Sequence, residues 1–355
     1  MSHSRGLGAR AASIAIAALL LFGSAAASSA SAEEVPPVRT IVGASTGIVD
    51  LTGVTADSSG RTYVALRSGR AIKIYAPGAD GDAAPVATIQ GPNTLLVGPY
   101  GVTIDSAGLI YVVDGNAVSI NVYAANANGD VAPIRRIVGA LTGLVFPNGV
   151  VLGPDNSLHV VDNGRVLTFG PGANGNVAPV SVLGGANTGM NSTYDIALNP
   201  AGELYVQDSS AGAIQVFAAG AAGDVAPIRI IDGPATQLDR PFGLAISPTG
   251  DLYVSDYVTN AVLIFAGDAN GNVAPLSTIA GPGSQVNGPF PLDIVGTTLL
   301  VGDYDSNAIT FYDVPGLAAE PALAATGVDV TLPLTGAATL GLVGMLLLAL
   351  RRRAA

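Results

Sequence analysis

One proline recurs six times at nearly constant spacing: Pro37, Pro85, Pro133, Pro179, Pro227 and Pro275, at intervals of 48, 48, 46, 48 and 48 residues. Each follows Ala or Pro and leads into a β-branched or aliphatic run. Fifteen residues after each proline stands Thr52, Tyr100, Asn148, Tyr194, Phe242 or Phe290. Eleven further on, or ten in the last copy, stands Tyr63, Tyr111, His159, Tyr205, Tyr253 or Leu300. A register this tight marks stacked copies of one supersecondary unit, each burying its apolar face against the next.

The spacing predicts four short strands per copy, in the second copy roughly Tyr100–Asp105, Leu109–Asp114, Val118–Tyr123 and Ile134–Val138. Alternation in Ile110-Tyr111-Val112-Val113 suits a strand, and no helical period competes with it. The first turn needs a positive φ and holds Gly60, Gly108, Asn156, Gly202 and Gly250; Asn substitutes where Gly is absent. The third turn holds Asp80-Gly81, Asn128-Gly129, Asn174-Gly175 and Asn270-Gly271, which are two-residue hairpin signals. The single short interval falls where Asp162-Asn163-Gly164-Arg165 tightens the second turn.

Four-stranded units of this length are blades of a β-propeller. The copy beginning at Phe290 has three strands and ends at Val314, whereas Pro37 to Val42 is an outer strand with no blade before it. The expected fold is therefore all-β: a six-bladed β-propeller, residues 33–314, closed by the N-terminal strand completing the last blade. Pro-Tyr-Gly-Val (99–102), Pro-Phe-Gly-Leu (241–244) and Gly-Asp-Leu-Tyr-Val-Ser-Asp (250–256) resemble NHL-repeat propellers, over about residues 37–314. The resemblance implies a fold and leaves the activity open, since this superfold hosts binders, scaffolds, hydrolases and lyases.

Both ends read as addresses. Arg5 and Arg10 precede an apolar run from Ala11 to Phe22, and Ala30-Ser31-Ala32 before Glu33 fits a signal-peptide cleavage site. Residues 1–32 are expected to be removed, with cleavage between Ala32 and Glu33. At the other end, Thr331 to Leu350 is uncharged and is followed by Arg351-Arg352-Arg353, the pattern of one membrane helix with a cytoplasmic basic end. The tail resembles a Gram-positive cell-wall sorting signal, which implies a sortase as partner. Leu323-Ala324-Ala325-Thr326-Gly327 matches the actinobacterial variant motif, and Leu332-Pro333-Leu334-Thr335-Gly336 the common one. Cleavage at Thr335 would leave 15 residues, Gly336 to Leu350, about 22 Å of helix. That would bury the motif in the bilayer. Cleavage at Thr326 leaves 24 residues and keeps the motif outside, so the first motif is favoured. A plain single-pass anchor is the alternative. Residues 315–326 are then a Pro/Ala-rich linker with the sorting motif, residues 327–355 the membrane segment and tail, and the location extracellular, on the wall or membrane.

Composition removes several functions. There is no cysteine, which excludes disulfides, thiol catalysis and cysteine metal sites. Only His3 and His159 are histidines, so no multi-histidine metal centre can form, and the propeller lyases with metal-bound histidines cannot be matched. Residues 33–326 hold 10 Lys/Arg against 25 Asp/Glu, a net charge of −15, which opposes nucleic-acid binding. No phosphate loop, nucleophile elbow or dinucleotide fingerprint is present.

The remaining candidates are columns of the repeat. Asp114, Asp162, Asp208, Asp256 and Asp303, with Leu66 in the first copy, end the second strands and are expected to accept backbone N–H groups in their turns. His159 replaces a column tyrosine and reads as a packed imidazole. Asp268-Ala269-Asn270-Gly271-Asn272 has the alternating oxygens that open a calcium loop but lacks the distal bidentate Glu, so no cofactor is expected, with calcium as the alternative. Calcium-dependent propeller lactonases use channel carboxylates and Asn, which implies Asn148, Asp195 and Asp293 here, irregularly spaced. The inner-strand starts, Thr52, Tyr100, Asn148, Tyr194, Phe242 and Phe290, converge on one mouth of the central channel. Four of the six are aromatic in a chain with 19 aromatics (11 Tyr and 8 Phe). Those rings suit a sugar or an extended peptide. The favoured function is a non-catalytic, surface-displayed module binding an extracellular ligand or protein there. The alternative is a metal-dependent, lactonase-like hydrolase or lyase in the channel.

Overall fold

The computed structural model describes residues 32–314, which form six sheets around a central channel. Blade 1 comprises Leu51–Ala56, Thr62–Leu66, Ala71–Tyr75 and Ala87–Gln90, running from the channel outward. Blade 2 repeats it with Pro99–Ile104, Ile110–Asp114, Ser119–Tyr123 and Arg135–Ile137. Blades 3, 4 and 5 begin with Pro147–Leu152, Ile196–Leu198 and Pro241–Ile246. Blade 6 has Pro289–Val295, Thr298–Asp303 and Ala308–Asp313, and its fourth strand is Arg39–Ile41, pairing antiparallel with Arg39 opposite Phe311. The expected closure is what the chain does.

The core lies between blades rather than within them. Tyr63, Ile72 and Ile74 of blade 1 form one cluster with Val102, Ile110 and Val112 of blade 2. Third strands end on Tyr75, Tyr123, Phe169, Phe217 and Phe265, with Tyr312 in blade 6, and each is at most 1% exposed. Where the ring is tyrosine, its hydroxyl donates to the carbonyl of Thr46, Thr94 or Ser284 in the adjoining 3₁₀ turn. A buried phenol needs such a partner, so the large ring and its polar tip are both accommodated.

One of the three turn readings comes out differently. The positive-φ first turn is present, with Gly60 at 85° and Asn156 at 61°. The Asp162–Arg165 turn is a two-residue hairpin, Asp162 and Arg165 exchanging backbone bonds of 2.8 and 3.1 Å. The Asp-Gly and Asn-Gly pairs of the third turn, however, are not hairpin turns. Residues 76–86 form a long loop that reaches to the preceding blade, where the Gly81 N–H donates to the Thr40 carbonyl at 2.8 Å and the Gly81 carbonyl accepts from Val42. Gly129, Gly175, Gly223 and Gly271 make the same parallel bridge to Ile89, Ile137, Leu183 and Ile231. The loop thus covers the free edge of each outer strand, the place where a sheet otherwise recruits another chain.

The side-chain oxygens of these loops are occupied too. Asp82 accepts the Ser45 N–H at 2.6 Å, Asp130 accepts Asn93, and Asn272 accepts Ala235. Asn270 accepts the Ile230 N–H at 3.2 Å, so the calcium-like run works as a backbone cap. In blade 5 the N-terminus supplies this element: Ala32–Glu33 pairs parallel with Thr278 and Ile279, and Glu34 packs against Gly281 and Gly283. Ala32 and Glu33 flank the expected cleavage point. Among the described residues no helix is long and apolar enough to cross a membrane; the expected span, linker and both sorting motifs lie outside them.

Candidate functional site

The inner strands approach one another too closely for side chains at one column. A Cβ on Gly101 would lie 2.6 Å from the Asn148 carbonyl, and Gly53 and Gly243 meet the Tyr100 and Phe290 carbonyls in the same way. Blade 4 places Asp195 in this column and blade 6 places Pro291. The result is a narrow channel of about 210 Å³ lined by all six blades. The residues expected at its mouth, Thr52, Tyr100, Asn148, Tyr194, Phe242 and Phe290, all line it, with Asp195 and Asp293.

The mouth is not uniform. Tyr194, Phe242 and Phe290 are half-buried and mutually packed: Phe242 and Phe290 stack at 4.5 Å, and Tyr194 lies edge-on to them at 5.0 and 6.3 Å. Tyr257 and Tyr304 extend this surface at 6.0 and 6.1 Å. Tyr100 belongs to a separate pair with Phe146 at 5.4 Å and is only 9% exposed. Thr52 and Asn148, expected as polar contacts, are largely committed inside. The Thr52 hydroxyl donates to the Pro99 carbonyl at 2.8 Å, and the Asn148 amide donates to Phe146 and Thr193 carbonyls, leaving its Oδ1 unpaired.

Several mouth residues have no place in the sequence reading. Arg67 donates to both Asp50 oxygens at 2.7 and 3.1 Å and to the hydroxyls of Tyr100 and Tyr304 at 3.2 Å. The bond from Arg67 and the bond to Asp50 respectively steady Tyr100 and Tyr304, and the Asp50 contact pushes the Tyr304 phenol upward. Arg67, Tyr257 and Tyr304 occupy the position after the second-strand Asp column, a signal present in the register. The outer rim also divides: blades 1–3 expose Val49, Val97 and Val145, where blades 4–6 expose Asn191, Asp239 and Asn287.

Inside the channel the two carboxyls are stapled to neighbouring strands. Asp195 accepts the Ile196 N–H at 2.9 Å and the Leu244 N–H at 3.0 Å. That second amide lies on the inner strand of blade 5, beside the register shift between Pro241 and Leu244. Asp293 accepts Ile294 N–H at 2.8 Å, the Thr55 hydroxyl at 2.7 Å and Ala56 N–H at 3.3 Å. Burial pushes Asp195 up to about 7, with the charge of Asp293 adding to it, and burial also raises Asp293. No Lys, Arg or His lines the channel.

The Asp column is a fold device, as the register implied. Asp114 accepts Val97, Gly98 and Ala117 N–H groups at 2.7 to 2.9 Å, and Asp256 accepts Asp239, Arg240 and Thr259. All five carboxyls are fully buried. His159 packs on its strand with Nδ1 3.1 Å from the Thr168 hydroxyl and Nε2 3.3 Å from Ser157, and burial lowers its pKa. It does not itself line the channel, although it pairs with Val151, which does. Among the described residues no group of three His, Cys, Asp or Glu side chains is placed to hold a metal ion. Asn148, Asp195 and Asp293 do share the channel wall.

No family model matches the chain, and no curated protein matches it. Solved structures do. The WD40 β-propeller domain of Doa1 is 12% identical over 74% of this chain and 78% of that one, with a TM-score of 0.53. Virginiamycin B lyase from Staphylococcus aureus is 13% identical over 78% and 88%, with a TM-score of 0.53. A streptogramin B lyase structure is 13% identical over 76% and 85%, with a TM-score of 0.52. Likeness at this identity establishes the propeller fold alone.

Proposed function

We propose that the protein is an exported, surface-displayed propeller that binds a ligand or protein at one channel mouth and performs no chemistry on it. The observation that carries the reading is the joined aromatic surface of Tyr194, Phe242 and Phe290, extended by Tyr257 and Tyr304. Five half-buried rings at one opening give an apolar platform that the core does not consume. The flanking valines of blades 1–3 add apolar area of the kind protein partners cover. The NHL-like repeat, the leader and the sorting tail are the parts of this reading that rest on sequence.

Retention of the purified protein on immobilised cell-wall polysaccharide and on a peptide array tests it. Tyr194→Ala/Phe242→Ala should lose retention and keep a cooperative melting transition; unchanged retention overturns the mouth as the binding surface. The hydrolase or lyase reading is favoured only by Asn148, Asp195 and Asp293 lining one channel. A stoichiometric divalent ion retained after dialysis, lost on Asp195→Asn, would put it first.

A further inference from the structure

The mouth and the channel beyond it have complementary chemistry that goes past ligand binding in general. At the opening, Phe242 and Phe290 stack on each other with Tyr194 edge-on beside them. Asp195 directly follows Tyr194, and Asp293 lies three residues past Phe290, about 10 Å deeper at strand rise. Both carboxyls line the channel without a cationic side chain among its walls. Their hydrogen-bond partners are backbone N–H groups and one hydroxyl, which carry no full charge. Independently, Asn148 of blade 3 also lines the channel, 6% exposed, with its Oδ1 unpartnered. That atom is an acceptor, as are the carboxylates.

Aromatic faces and carboxylates attract one ligand class in common. A ring face is the negative end of a quadrupole and draws a cation within about 6 Å of its centroid. A neutral sugar, whose hydroxyls accept as well as donate, would find acceptors in the carboxyls but neither the Thr52 hydroxyl nor the Asn148 amide free to donate to it. The volume, about 210 Å³, is below that of a site for a whole drug-sized ligand and suits one end group.

We propose that the mouth takes an alkylammonium group, primary or quaternary, on an apolar stem, held between the Tyr194, Phe242 and Phe290 rings and the Asp195 and Asp293 carboxyls. The proposal rests on the mouth being a binding surface and names the chemistry it selects. The same group occurs on a lysine side chain and on a choline-type headgroup.

Calorimetric titration of the purified full-length protein near pH 8, at fixed ionic strength, uses n-butylammonium and tetramethylammonium chloride as probes, with n-butanol as the neutral match. Saturable binding of the two cations, absent with n-butanol, supports the proposal; equal response to n-butanol, or none to either cation, overturns it. Asp195→Asn should weaken the cations about tenfold, and Phe242→Leu should weaken tetramethylammonium about fivefold. Unchanged affinity in both variants overturns it, and the comparison of wild-type probes needs no variant to fold. Calcium displacing the cations stoichiometrically overturns it in favour of a metal site. Nα-acetyl-lysinamide and phosphocholine separate the sources: either binding at least as tightly as the simple cation supports the proposal, and weaker binding of both overturns it. Retention on polymer or peptide that Tyr194→Ala/Phe242→Ala abolishes but n-butylammonium does not compete sinks the ammonium chemistry and leaves the mouth standing. Retention indifferent to that double substitution removes the mouth, and the ammonium site with it.

Discussion

The Asp195 carboxylate accepts the Leu244 N–H at 3.0 Å, tying the inner strand of blade 4 to that of blade 5 at a column where glycine is the rule. The Leu244 amide lies on the inner strand beside a register shift, and the carboxylate is its hydrogen-bond partner. The same carboxyl faces a channel without a counter-ion, so one residue serves both closure of the ring and the character of its interior.

Burial holds Asp195 and Asp303 near 7, far above an unfolded carboxyl near 3.8. The folded protein keeps protons that the unfolded chain releases, so this stability is full below about pH 4 and is lost as pH rises through about 7. Melting temperature should therefore fall between about pH 5 and pH 8, and Asp195→Asn should make that slope shallower. An unchanged slope would show that Asp195 ionises as freely in the folded chain as in the unfolded one.

Cation affinity should move the opposite way. An ammonium group needs the ionised carboxyl, so n-butylammonium should bind more tightly at about pH 8 than at about pH 6. Titrations at the two values check this, and flat affinity would exclude Asp195 from the contact.

Asp114→Ala should cost about 3 kcal/mol or more, because it strands three N–H groups where each unmade bond costs about 1–3 kcal/mol. The exposed cap of Asp82→Ala should cost only about 1 kcal/mol. Urea midpoints of the two variants give the ratio.

Gly101→Ala should destabilise by about 1–3 kcal/mol, since its Cβ would lie 2.6 Å from the Asn148 carbonyl, which neither strand can yield without opening the channel seam. The same substitution at Gly129, which has open space around it and a φ of 77°, should cost about 1 kcal/mol through backbone strain alone. Denaturant unfolding compares them.

Deleting residues 1–42 removes Arg39–Ile41 and leaves the edge of Ala308–Asp313 uncovered. The truncated protein should aggregate or elute as oligomers by size exclusion, whereas a monomer of unchanged stability would mean that the closing strand is dispensable.

Blade number and closure were legible because a repeat writes the same burial pattern six times, and the odd strand at each end announces its partner. The Asp column and the packed His159 were legible for the same reason. The third-turn loops were not legible, since Asn-Gly supplies a positive φ equally to a hairpin and to a crossing loop, and only the neighbouring blade distinguishes them. The N-terminal run Glu33-Glu34-Val35-Pro36-Pro37 parallels Gly129-Asp130-Val131-Ala132-Pro133. That likeness was available in the sequence and explains why Ala32–Glu33 docks on blade 5.

The sequence by itself determined the strand period, the number of blades and the six residues that converge at the mouth, because local alternation and register are properties of the chain. Tertiary structure alone decided that Tyr194, Phe242 and Phe290 join while Tyr100 pairs with Phe146, and that Arg67 meets Tyr304 across 237 residues. It also decided that Thr52 and Asn148 spend their donors inward. Those outcomes depend on which rings and carbonyls neighbouring blades bring within a few ångströms, and the register names the residues of each blade without recording which of them meet.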